Sequence, residues 1–184
     1  TYVSAYDDPW VINGQGTIGL EIADQLAGRR ISAFLAPLSG GGLIAGVSGG
    51  LKEAGLTPSI VAVSAERAAV MHSSIEAGQP IELPEEDTLA NALAGGIGLG
   101  NRYSFNLVRE RVDQYIKVSE EDIRDAIRFS LTHLNLVVEG GGVVALAALL
   151  NGSWTPTDRE GVVVVLLSGG NVAMETLITI LDSE

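Results

Sequence analysis

The sequence predicts an α/β fold, a three-layer doubly wound domain around a mostly parallel sheet. Three observations point there. Short apolar runs alternate along the chain with segments of helical periodicity, the pattern of repeated βα units. The apolar runs, such as Ile31–Leu38 and Gly161–Leu167, are continuous rather than interrupted by polar residues, as expected for strands covered on both faces. Glycines cluster beside these runs, at Ser39–Gly42, Gly95–Gly100, Gly140–Gly142 and Ser168–Gly170, which suggests backbone that must approach something closely.

Taken in order, Thr1–Gln15 reads as irregular, with Asp7-Asp8-Pro9 as turn material. Thr17–Leu26 has helical spacing and Gly28 as its stop. Ile31–Leu38 reads as a buried strand, and Leu43–Ala54 as a helix ended by Gly55. Ser59–Val63 is a second strand. Ala65–Ala77 reads as one helix, Gly78–Asp87 as a loop, and Thr88–Leu93 as a short helix. Tyr103–Val112 is helical and Tyr115–Val118 a short strand. Ser119 is an N-cap candidate, with Glu120, Glu121 and Asp122 placed for the helix dipole, and that helix should run to Leu134. Gly142–Leu150 is helical. Gly161–Leu167 carries the strongest strand signal, and Asn171–Leu181 closes as a helix.

A length of 184 residues fits one domain, at roughly 100–200 residues each. An apolar fraction of 46% and a charged fraction of 18% supply a core and argue against disorder. The net charge of −12 repels nucleic acid and anionic membranes, so neither is an expected partner. The absence of cysteine excludes disulfides and thiolate metal sites. No apolar stretch reaches the ~18–20 residues of a transmembrane helix, and no signal peptide opens the sequence. A cytoplasmic protein is expected.

Four places carry candidate chemistry. Ser39-Gly40-Gly41-Gly42-Leu43 follows a strand and opens a helix. Its N–H groups can converge on an anion at the positive end of the helix dipole. No Gly-Lys-Ser/Thr follows, and the dinucleotide spacing is absent, so a phosphate held by backbone fits best. Ser168-Gly169-Gly170-Asn171 again follows an apolar run and is expected to open a helix, so that Ser168 faces the same crevice or serves as an N-cap. Glu139, before Gly140-Gly141-Gly142, either faces the crevice or caps a helix. Gly95–Tyr103 is either a ligand-proximal loop or a plain surface loop. His72 and His133 stand alone, without metal-site spacing. No nucleophile elbow is present.

These motifs resemble a known family. Gln15-Gly16-Thr17-Ile18-Gly19-Leu20-Glu21 is similar to a segment of threonine dehydratases. Ser39–Leu43 looks like their phosphate loop, and Ser168–Val172 like their Ser-Gly-Gly-Asn turn. The sequence thus resembles fold-type II enzymes that use pyridoxal 5'-phosphate (PLP): threonine and serine dehydratases and serine racemases. Gly95–Phe105 and Val138–Leu150 look most like the dehydratases of hydroxyectoine utilisation.

The resemblance implies that Ser39, Gly40, Gly41, Gly42 and Leu43 hold the PLP phosphate. It implies that Ser168 hydrogen-bonds the pyridine nitrogen, with Ala92 and Glu139 also at the cofactor. The implied activity is an ammonia-lyase reaction on a hydroxy amino acid, threonine- or serine-like or hydroxyectoine-derived. A serine racemase-like isomerase or a non-catalytic phosphate- or nucleotide-binding module is the alternative. Homo-oligomers are implied as well.

The family's Schiff-base lysine lies in a Ser-Phe-Lys-type motif near its N-terminus. Lys52 and Lys117 are the only lysines here, and neither matches that place. Residues 1–184 are therefore expected to form most of a large PLP-binding domain, with the lysine-bearing N-terminal segment and the small domain absent. Such a chain should be inactive alone and should self-associate through bared apolar surface. A split enzyme is the other possibility. Some members hold a divalent cation through a glutamate, a carbonyl and an aspartate. Glu66 matches the glutamate and Val70 can supply the carbonyl, but His72 stands where the aspartate would be, and imidazole suits hard cations poorly.

Overall fold

The computed structural model describes residues 2–158 and 160–182. Thr1, the first residue of the segment expected to be irregular, lies outside them. That expectation is corrected further along, because helix α1 spans Pro9–Leu26. The Asp8 carboxylate accepts the N–H groups of Trp10 and Val11 at 2.8 and 3.1 Å. Pro9 takes the first helical position, where a missing N–H costs nothing. The Asp-Pro pair taken for a turn is a helix start.

Strand β1 (Ile31–Pro37) leads through a tight turn into α2 (Gly42–Glu53), then β2 (Ser59–Ala65). The single helix expected over Ala65–Ala77 is two pieces, a 3-10 turn at Glu66–Ala68 and α3 (Val70–Ala77). Ala69 between them, at φ −100° and ψ 36°, leaves the helical region. Helix α4 (Ser104–Arg111), strand β3 (Gln114–Val118) and α5 (Glu120–Phe129) follow. Ser119 and Asp122 form a reciprocal capping box at the start of α5. Its α-geometry ends at Phe129 rather than Leu134, because Ser130–Leu134 widens into a π turn that Asn135 closes at φ 57°. Helix α6 (Gly140–Leu150), strand β4 (Val162–Val165) and α7 (Met174–Asp182) complete the chain.

The sheet order is β3-β2-β1-β4, every pair parallel. Side chains of β1 alternate between two cores. Ala33 and Leu35 meet α5, α6 and α7 on one face, whereas Phe34 and Ala36 meet α1, α2 and α4 on the other. This is the expected three-layer doubly wound arrangement. On the second face α1 and α2 touch through glycine. A methyl on Gly50 would collide with the Gly16 carbonyl, and one on Gly19 would lie 2.5 Å from the Val47 carbonyl oxygen. At these points backbone meets backbone, so the two helices approach more closely than side chains there would allow.

Gly161–Leu167, read as the strongest strand, forms only the four residues of β4, each half-buried. Its unbroken valines reflect two covered faces, but its place in the order leaves one side of its backbone unpaired among the described residues. Helix α7 buries Leu177 and Ile180 and leaves Met174, Ile178 and Leu181 exposed. Among the described residues no helix is long and apolar enough to cross a membrane.

Candidate cofactor site at the sheet's switch point

The chain passes from β1 to β2 on one side and returns with β4 on the other. In open parallel sheets such a reversal leaves a crevice at the carboxyl ends of the two diverging strands, and ligands bind there. The turns after β1 and β4 both end at that crevice.

The first turn is tied down on every side. Leu38 donates its N–H to Val63 at 2.8 Å and accepts from the Ser64 hydroxyl at 2.9 Å. The Ser39 hydroxyl donates to the Leu93 carbonyl at 2.9 Å. Gly41, at φ 85°, turns the chain into α2, a conformation that costs a side-chain-bearing residue strain. The N–H groups of Gly42, Leu43 and Ile44 then have no acceptor within the helix and carry its positive dipole end.

The second turn is built differently. Ser168 is exposed and does not open a helix, because residues 166–173 are irregular and α7 starts only at Met174. The N-cap reading of Ser168 is thereby corrected. Its turn is laced instead to the start of α6. Glu139 donates its N–H to Gly169 at 2.9 Å, Ser168 donates to Gly142 at 3.4 Å, and Asn171 donates to the Glu139 carboxylate at 3.1 Å. Glu139 precedes α6 but makes no side-chain cap bond. Its carboxylate braces the neighbouring turn.

One cavity of about 250 Å³ is lined by Ser39, Gly40, Gly41, Gly42, Leu43, Ala92, Glu139 and Ser168. All eight residues singled out as cofactor-facing therefore meet at one place, although 129 positions separate the first from the last (39 to 168). The Gly95–Gly100 loop contributes indirectly, through the Gly96 carbonyl that accepts the Tyr6 hydroxyl at 3.2 Å.

Ala5 and Tyr6 also line the cavity, and the sequence reading missed both. The Tyr6 ring covers Gly40, where a methyl would overlap its Cγ, and a methyl on Gly42 would lie 2.7 Å from the Tyr6 Cα and carbonyl oxygen. Burial, then the neighbouring Tyr2 and Asp7, push the Tyr6 hydroxyl pKa above its usual value. The next residue, Asp7, accepts the N–H groups of Arg102, Tyr103 and Ser104 at 2.8, 2.8 and 2.9 Å, capping α4. No local pattern announces these contacts, whose partners lie 90 or more residues away.

Neither lysine lines this cavity. Lys52 sits in the last turn of α2, on a cleft of about 570 Å³ that includes Ser59 and Ile60 at the amino end of β2. That cleft is the larger, but it lies at the end of the sheet where parallel strands do not present ligands. Lys117 is on β3, at the sheet's other edge. Glu66 is exposed, and His72 turns its Nε2 toward Glu76 at 3.3 Å. Among the described residues no cluster of three metal-ligating side chains forms. Burial, and then Lys117, lower the His72 pKa, against the opposing pull of Glu76.

Residues 1–169 match the family described as pyridoxal-phosphate dependent enzyme. An L-threonine ammonia-lyase of Geobacter sulfurreducens is 38% identical over 181 residues, covering 98% of this chain and 44% of that protein. The processed form of threonine deaminase isoform 2 from Solanum lycopersicum superposes with a TM-score of 0.85 at 33% identity, over 98% of this chain and 51% of that one. Maize serine racemase gives 0.83 at 31%, over 97% and 54%. The chain spans about half the length of the curated relatives it matches. It belongs to the pyridoxal-phosphate dependent enzymes, with PLP as the family's cofactor and an α/β sheet that corresponds to the large domain of a fold-type II member.

Proposed function

We propose that these 184 residues form most of the cofactor-binding domain of an ammonia-lyase that acts on a β-hydroxy amino acid. The observation that carries the reading is the convergence of the Ser39–Leu43 turn and Ser168 on one cavity at the switch point. Water is first removed across Cα and Cβ, and hydrolysis of the free imine that results takes a water back up as the 2-oxo acid forms, so the net loss is ammonia alone. PLP, when bound, supplies the electron sink for charge at Cα. The N–H groups of Ser39–Leu43 would hold its phosphate through the helix end. The Ser168 hydroxyl would meet the ring nitrogen without a charge of its own, and a neutral partner suits elimination of a β-substituent. Ala92 and Glu139 would wall the site, Glu139 by keeping the Ser168 turn in place.

The lysine this chemistry requires is proposed to come from a segment outside these 184 residues, because Lys52 and Lys117 both lie away from the cavity. Such a segment could dock on the exposed apolar Met174, Ile178 and Leu181 and on the backbone N–H and C=O groups along the side of β4 that is unpaired among the described residues. Without it the chain should be inactive and self-associate. The substrate is proposed to be threonine or serine, or an ectoine-derived hydroxy amino acid as the notable departure within the group. The likeness to maize serine racemase favours isomerisation of serine as the second reading.

The test is PLP addition to the chain, borohydride reduction and peptide mapping. Saturable PLP binding with no specific adduct is expected. A stoichiometric adduct on Lys52 or Lys117 overturns the proposal of an external lysine. Supplying a lysine-bearing segment and offering each amino acid then separates the activities, since a 2-oxo acid marks the lyase and D-serine the racemase.

A further inference from the structure

Three consecutive glycines make a poor anion site by themselves. Each populates many backbone conformations, and gathering their N–H groups around a ligand forfeits that freedom at the moment of binding. In this protein the freedom is already restricted by a neighbour. The Tyr6 ring lies against the face of Gly40 where a side chain would begin, and the Tyr6 backbone lies against the corresponding face of Gly42. The glycine pair is thus required by Tyr6 and held by it.

Tyr6 is itself fixed from two directions. The Ser4 hydroxyl oxygen accepts the N–H groups of Tyr6 and Asp7 at 3.4 and 2.9 Å. Asp7 is clamped by three amides at the start of α4, while the Tyr6 hydroxyl reaches the Gly96 carbonyl. The segment Ser4–Asp7 therefore spans from the anion turn to the 96–104 loop, with Tyr6 in the wall of the cavity.

We propose that Ser4–Asp7 is a strap belonging to the cofactor site, with Tyr6 as a positioning residue whose ring holds the Ser39–Leu43 turn in its anion-binding shape. The inference rests on the reading of that turn as the phosphate subsite. It assigns the work to the ring, since the ring covers Gly40, and gives the hydroxyl only the link to Gly96. It also makes the strap a mechanical connection. An anion that tightens the turn steadies the surface under Tyr6, and Asp7 passes that order to the amides of Arg102, Tyr103 and Ser104.

The test titrates the full chain with inorganic phosphate and follows amide shifts and hydrogen exchange, with thermal unfolding recorded in parallel. Phosphate should protect the 39–43 amides and, more weakly, those of 102–104. Tyr6→Ala should weaken phosphate binding by about tenfold or more, a differential of about 1.4 kcal/mol, and Tyr6→Phe should restore it to within about threefold. A purely structural role would lower Tm without separating Ala from Phe in affinity. If Tyr6→Ala fails to fold, Asp7→Ala decides, because it keeps the ring and frees the strap. It should weaken phosphate binding and abolish the phosphate-induced protection at 102–104. Unchanged phosphate affinity in folded Tyr6→Ala, or in folded Asp7→Ala, overturns the strap and leaves the phosphate subsite standing. Failure of phosphate to protect 39–43 in the unaltered chain removes the subsite reading, and the strap with it.

Discussion

The turns after β1 and β4 begin from the same local sequence, an apolar run followed by serine and glycines, yet they are held in opposite ways. The first is buried from Gly40 to Gly42 and clamped by β2, Leu93, Tyr6 and the helix it opens. The second is exposed at Ser168 and Gly170, opens no helix and hangs from Glu139. The difference follows from strand position. Among the described residues β1 has a neighbour on each side, whereas β4 has one. A rigid anion turn beside a loosely held hydroxyl is a reasonable division of labour. On the proposed reading, a phosphate at the first turn needs several N–H groups converged at once, and a ring nitrogen at Ser168 needs one hydrogen bond.

The largest expected effect separates the turns directly. Gly41→Ala places a methyl at φ 85° and 2.6 Å from Val108 Cγ2, and should cost about 2–4 kcal/mol from strain and overpacking together. Gly170→Ala crowds only the Val137 carbonyl at an exposed site and should cost about 1 kcal/mol or less. Urea unfolding of both variants checks the ranking, and equal losses would erase the proposed contrast. Next, Glu139→Ala removes the acceptor of the Asn171 N–H and should cost about 1 kcal/mol. Hydrogen exchange should quicken at Asn171 while the Leu38 and Ala45 amides that flank the first turn, bonded to Val63 and Gly41, keep their protection. Loss of protection at both turns would mean they form one unit.

The smallest effect concerns pH. Burial, followed by Lys117, lowers the His72 pKa in the folded chain, so the unfolded state takes up the proton more readily. Stability contributed by neutral His72 is present above the ordinary histidine range and is lost as pH falls through the lowered folded value. His72 follows Met71, whose Cε lies 3.0 Å from where a Gly41 methyl would be. Between about pH 7 and 5 the unaltered chain should lose more Tm than His72→Asn, as ordinary histidines titrate there. Equal slopes would show that the histidine is not coupled to folding.

Much of the architecture was legible because it is written in local pattern. Continuous apolar runs marked β1 and β2, and Ser119 with Asp122 marked the start of α5. The start of α1 was not, since Asp8-Pro9 reads as turn material and the same pair suits a turn and a helix start alike. The length and exposure of β4 were not, since four valines read alike at the centre and at the edge of a sheet. The eight cavity residues could be named because three of their segments carry recognisable motifs. Tyr6 and Asp7 could not, because their roles are set by Gly40, Gly96 and the 102–104 amides, far along the chain.

The sheet order carries a consequence for synthesis. β1 pairs with β2 soon after both emerge, but its other neighbour, β4, begins 125 residues after β1 ends (37 to 162). At about 5–20 residues per second on the ribosome, that side of β1 waits on the order of ten seconds for its partner. During that interval the anion turn can already exist while the Ser168 turn does not. A nascent chain stalled before Val162 would therefore present half of the proposed cofactor site beside an open apolar strand, the state in which a chaperone would find it.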